Sequence, residues 1–121
     1  MSERVVGSPK ELAKLGDALI NFIASAALTV SQGYPVGLKV PDKLLRDVAK
    51  RAGINRRGSL KSEDLFEALV AYAWLKGVST EEMLKFVLKG LRKGDLGDGL
   101  YSLLKHLLET AGDLFEAVQQ V

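Results

Sequence analysis

The 121-residue chain has the size of one compact domain, with 47% apolar residues for a core and 26% charged residues, an ordinary share for a soluble protein. With no cysteine and one histidine, disulfides, thiolate zinc sites and histidine-rich metal sites are excluded, so any bound metal would be a hard ion held by oxygen. The net charge of +2 is unevenly spread. Lys39, Lys43, Arg46, Lys50, Arg51, Arg56, Arg57 and Lys61 crowd one segment, opposed only by Asp42 and Asp47. That segment reads either as a phosphate-facing surface or as a solvated helix face followed by a basic loop.

The first helix is predicted from Pro9 to Ser31. Ser8 is its cap and Pro9 suits the first helical position. Leu12, Leu15, Leu19, Ile23, Ala26 and Val30 recur at helical spacing as its buried stripe, while Asp17 shares a polar stripe with Lys10, Lys14, Asn21 and Ser25. Residues 18–38 carry no charge, but Asn21, Ser25, Ser31, Gln32, Gly33 and Pro35 interrupt them. The stretch is therefore read as part of a soluble, cytoplasmic protein with no targeting segment and no membrane partner.

Gly33-Tyr34-Pro35-Val36-Gly37 breaks the chain into a loop over 32–40. A second helix follows from about Pro41 to Ala52, with Leu44, Leu45 and Val48 inward and Gly53 past its end. Asn55 to Gly58 forms a basic turn. The third helix begins between Ser59 and Ser62 and runs to Lys76, where Gly77 stops it. Ser79-Thr80-Glu81-Glu82 opens a fourth helix that continues to Lys89. Gly90, Gly94, Gly97 and Gly99 predict a flexible hinge over 90–99. The last helix runs from Leu100 to the C-terminus, with Leu100, Leu103, Leu104, Leu107, Leu108, Ala111, Leu114, Phe115 and Val118 on one face. The whole is expected to be a single all-α domain over 1–121.

Nucleophilic triads lack support, since His106 stands alone in a leucine-rich helix. Phe66, Tyr72, Trp74 and Phe86 read as core or interface, and Tyr34 as an exposed loop residue. The carboxylates are more informative. Asp64 and Glu67 are three apart and project from one helix face, so both could ligate one divalent cation. Equally, acidic residues in a first helical turn complement the helix dipole, and Asp17 beside Lys14 could be an ordinary solvated pair.

Two segments add a resemblance to that reading. Leu12-Ala13-Lys14-Leu15-Gly16-Asp17-Ala18-Leu19 resembles the signature helix of the ribonuclease III family, where a Leu-Gly-Asp-Ala core supplies a metal-binding aspartate. Asp64-Leu65-Phe66-Glu67-Ala68-Leu69, leading through Tyr72 and Trp74 to Gly77, resembles the family's second signature. The resemblance implies a metal-dependent endoribonuclease fold with Asp17, Asp64 and Glu67 as catalytic metal ligands. It further implies Mg²⁺ (Mn²⁺ as the alternative ion), homodimers, and cleavage of double-stranded or structured RNA. Lys39, Lys43, Arg46, Lys50, Arg56, Arg57 and Lys61 are then the candidate RNA contacts.

Three departures stand out. The family's glutamate four residues before the signature aspartate is Ala13 here, an alanine shared with the Mini-ribonuclease III branch. The stretch between the signatures is short, and the 121 residues hold no double-stranded-RNA-binding domain, as in a compact archaeal-type member. Two other functions fit the same residues. One is an RNA-binding module with little or no activity. The other is a helical assembly protein using the 100–118 face.

Overall fold

A computed structural model describes residues 7–112 as five helices: α1 (Pro9–Gln32), α2 (Asp42–Arg51), α3 (Ser62–Leu75), α4 (Thr80–Leu91) and α5 (Leu96–Thr110). Among these residues there is no strand; an isolated bridge between Arg57 and Leu60 closes the basic turn. The fold is all-α, as expected.

Local chemistry sets the helix starts. The Ser8 hydroxyl accepts from the Glu11 amide while the Glu11 carboxylate accepts from the Ser8 amide, and Pro9 loses no bond in the first turn. Gly33, at φ 81°, ends α1 in the left-handed conformation.

The polar stripe of α1 then does something its spacing alone did not disclose. Asn21, Ser25 and Thr29, four residues apart, accept from the amides of Val40, Leu38 and Val36, two residues apart, at 2.7, 3.0 and 2.9 Å. Four helical residues rise about 6 Å and two extended residues span nearly the same distance, so the ladder stays in register. The segment 36–40 is thereby strapped antiparallel to α1, which fixes where α2 begins.

α1 packs chiefly on α3, α4 on α5, and α2 on both α3 and α5. Ile20, Ile23, Ala24 and Ala27 of α1 are fully buried with Leu65, Phe66 and Leu69 of α3 and Leu100, Leu103, Leu104 and Leu107 of α5. Two expectations are corrected here. The buried stripe of α1 is turned from the predicted one: Leu15, Leu19 and Ala26 are half-buried, and Val30 is exposed. Contact with both α3 and α4 favours the faces bearing small residues, which allow close approach.

The stretch 90–99 is likewise no hinge. α4 extends to Leu91 and α5 starts at Leu96, four residues early, where Asp95 and Asp98 cap each other's amides. Gly90 and Gly99 serve a helix crossing: a β-carbon on Gly90 would overlap the Asp98 carbonyl oxygen, and one on Gly99 would sit 2.7 Å from the Val87 carbonyl oxygen. Leu114, Phe115 and Val118 lie outside the described residues.

By length and composition α1 would suffice to cross a membrane; a third of its most apolar window is buried inside the fold.

A carboxylate cleft between two signature helices

Gly16 is what brings the two signature helices together. A β-carbon there would overlap the main-chain carbonyl of Glu67, so the α1 and α3 backbones meet at this point. The contact places Asp17, the next residue in α1, beside the Glu67 side chain. Their carboxyl groups share a hydrogen bond.

Glu67 is 6% exposed, and its pKa is pushed up to about 9. Burial is the first cause; the hydrogen bond and charge of Asp17 come next, followed by the charges of Asp64 and Asp42. Glu67 is therefore protonated at neutral pH and donates to the Asp17 carboxylate. Asp17 is partly open to solvent, with Lys39 Nζ 3.7 Å from it.

Asp64 stands in the first turn of α3. One oxygen accepts from the Lys61 amide at 3.1 Å, so it also caps the helix. Its neighbour Glu63 is buried and gripped by Arg46, through Nε at 3.2 Å and Nη2 at 2.7 Å. Burial raises the Glu63 carboxyl, but the hydrogen bonds and charge of Arg46 outweigh it and hold the pKa below the ordinary value.

Asp17, Asp64 and Glu67 line one cleft of about 300 Å³, together with Ala13, Asp42 and Lys61. Sequence reasoning counted Asp42 only as a charge opposing the basic segment. The Pro-Asp start of a helix just after a loop was the available signal, but only the strap from α1 shows that it faces Glu67. Ala13 lines the same cleft, so this alanine leaves the cleft without a carboxylate at that point.

The candidate RNA contacts divide. Lys39 and Lys61 line the cleft. Lys43 and Lys50 are exposed on α2. Arg46 is engaged by Glu63. Arg56 donates to the Gly58 carbonyl at 2.9 Å, and Arg57 holds the turn through its backbone pair with Leu60.

The donor set suits a hard divalent cation. It offers carboxylates and no imidazole or thiolate, and a buried carboxyl group at hydrogen-bond range of a second, half-buried one needs either a shared proton or a cation between them. Among the described residues, no three acidic or histidine side chains converge on a single ion position as they stand. Asp64 is turned toward the Lys61 amide.

His106 takes no part. It stacks on Phe86 at 3.6 Å and its Nε2 lies 2.7 Å from Glu82, and it is not among the residues lining the cleft. The face of α5 offered to an assembly partner in the alternative reading is spent on the core at Leu100, Leu103, Leu104 and Leu107.

Fold and site together define an all-α domain organised around a carboxylate cleft. In a comparison with protein families, residues 10–112 match Ribonuclease III. The chain belongs to the ribonuclease III family, whose members are RNA endonucleases that act on double-stranded RNA and generally use divalent metals. A search of curated proteins finds no match to the chain.

Proposed function

We propose that the protein is a divalent-metal-dependent endoribonuclease that hydrolyses phosphodiester bonds of double-stranded or structured RNA. The observation that carries this reading is the Asp17–Glu67 carboxyl pair, set at the Gly16 crossing with Glu67 buried, in a cleft that also holds Asp64 and Asp42.

Asp17 and Glu67 would hold the ion, Mg²⁺ in the first instance, with water filling the rest of its shell. Asp64 joins them by rotating off the Lys61 amide. When bound, the cation supplies an activated water and neutralises the leaving oxygen. Glu67 must give up its proton before it can act as a ligand, and that proton leaves through the solvent-open cleft. Asp42, entering from α2, adds the carboxylate that Ala13 does not. Lys39 and Lys61, beside the cleft, suit the phosphates flanking the scissile bond. Lys43 and Lys50 extend the basic surface along α2.

The homodimer fits an apolar face left open on α1. Phe22 and Val30 are 60% and 62% exposed, on one stripe with the half-buried Leu15, Leu19 and Ala26. Two copies paired there would bring two clefts to one duplex, one for each strand. Light scattering is the check: a clean monomer at micromolar concentration would count against the dimer.

Long double-stranded RNA incubated with the protein and Mg²⁺ tests the enzyme reading, with chelator and Asp64→Asn as controls. Cleavage that needs both the metal and Asp64 is expected. No metal-dependent cleavage, where another family member cuts the same RNA, would overturn it; retained RNA binding would then favour the inactive RNA-binding module.

A further inference from the structure

A second polar cleft, of about 360 Å³, lies where the end of α2 meets α4 and α5. Its walls carry Arg51 from α2, Lys89 from α4, Lys93 from the turn after it, and Lys105, Tyr101 and Ser102 from α5. The Gly90–Gly99 crossing is what draws the lysines of α4 and α5 together.

Arg51 is held in place. Its guanidinium lies 3.9 Å over the Tyr101 ring and bonds Asp98 at 2.9 Å. Lys89, Lys93 and Lys105 are exposed, and none is paired with a carboxylate among the described residues. Four cations thus face one carboxylate in a concave site, in a chain whose net charge is only +2. Like charges gathered in a cleft repel one another and focus a positive field. The arrangement makes physical sense when an anion enters. Ammonium groups, a fixed guanidinium and two hydroxyls together match phosphate oxygens.

We propose that this cleft is a second phosphate site, which anchors an RNA duplex through its backbone away from the place of cutting. The inference rests on the RNA-directed function above. Its geometric support is α2 itself: Asp42 and Arg51 stand at its two ends, nine residues apart, which is about 14 Å along the helix axis and about half a turn around it. The exposed Lys43 and Lys50 lie between them. One duplex laid along α2 can therefore touch both clefts, and A-form RNA is read largely through such backbone contacts.

The test is fluorescence anisotropy of a labelled RNA duplex on the full chain in chelator, so that binding is read without cleavage, over a series of salt concentrations. Lys93→Gln/Lys105→Gln is compared with wild type and with Lys76→Gln, a control for lost charge; circular dichroism confirms the folds. The double variant should bind roughly tenfold more weakly, with a salt slope smaller by about two, one per phosphate contact removed. Lys76→Gln should change affinity less than the double variant does per charge.

Wild-type affinity and slope in the double variant would overturn the proposal. So would NMR shifts of Tyr101 and Ser102 with inorganic phosphate while duplex binding ignored the two lysines, since the cleft would then serve a small phosphate compound. Failure of the enzyme reading is separable: a wild-type chain that cuts nothing but loses duplex affinity in the double variant keeps this site and removes only the cleavage.

Discussion

Gly16 in α1 and Glu67 in α3 meet backbone to backbone, with no room for a single extra carbon between them. This contact sets the distance between Asp17 and Glu67, and so it sets the electrostatics of the cleft. The glycine of the first signature is thus a packing requirement as much as a motif letter.

Gly16→Ala should therefore destabilise the fold by about 3 kcal/mol, the upper part of the usual range for overpacking. Gly37 meets nothing within 4 Å where a β-carbon would stand. Gly37→Ala should stay within about 0.5 kcal/mol of wild type, as for surface changes generally. Urea unfolding of both variants checks the contrast, and equal stabilities would refute the role given to Gly16.

The carboxylates should not be equal in their effects on cleavage. Asp17→Asn, Asp64→Asn and Glu67→Gln should each lower Mg²⁺-dependent cleavage by roughly a hundredfold or more. Asp42→Asn should cost roughly tenfold, the scale of groups that support a metal site from outside its ligands. Single-turnover rates on one RNA duplex provide the comparison. An Asp42→Asn enzyme as fast as wild type would remove Asp42 from the site.

Glu67 gives the metal-free protein a pH dependence of known sign. Its folded pKa, about 9, lies above its ordinary value, so the folded state binds the extra proton between those two limits. The stabilisation tied to that proton is complete below the ordinary carboxyl pKa and is lost as pH rises toward 9. In chelator, wild-type Tm should fall over that window relative to Glu67→Gln, whose amide does not titrate. Added Mg²⁺ should stabilise wild type more at high pH than at low, because the ligand must be deprotonated. A wild-type-minus-variant difference that is flat from pH 5 to 9 would contradict the buried, shared proton.

Asn21 ties the loop to α1 at the point next to the cleft. Asn21→Ala leaves the Val40 amide without its 2.7 Å partner and should cost about 1–3 kcal/mol, since that amide belongs to a fully buried residue. It should also weaken Mg²⁺ binding, because Lys39 and Asp42 flank the tether. Hydrogen exchange at Val40 and a magnesium titration read the two effects. Val40 protection equal to wild type would count against the strap.

The sequence by itself determined the helices and singled out the candidate acids. Capping residues, glycine stops and apolar spacing are local signals, and they placed α1 to α4 within two or three residues of their observed ends. The Leu-Gly-Asp-Ala and Asp-x-x-Glu-Ala-Leu segments marked Asp17, Asp64 and Glu67 because such motifs are contiguous in the chain.

Tertiary structure decided what lies far apart in sequence. It turned the buried stripe of α1 toward Gly16, Ala24 and Ala27, since a close crossing needs small residues at the contact. It made a packed helix crossing of Gly90 and Gly99, where composition suggested a hinge. It brought Asp42 to the cleft of Glu67 through the backbone hydrogen bonds that Asn21, Ser25 and Thr29 accept, and it gave Arg46 to Glu63 instead of solvent. Periodicity within one helix cannot specify its neighbour, because the partner's backbone determines which face is buried and which charge is answered.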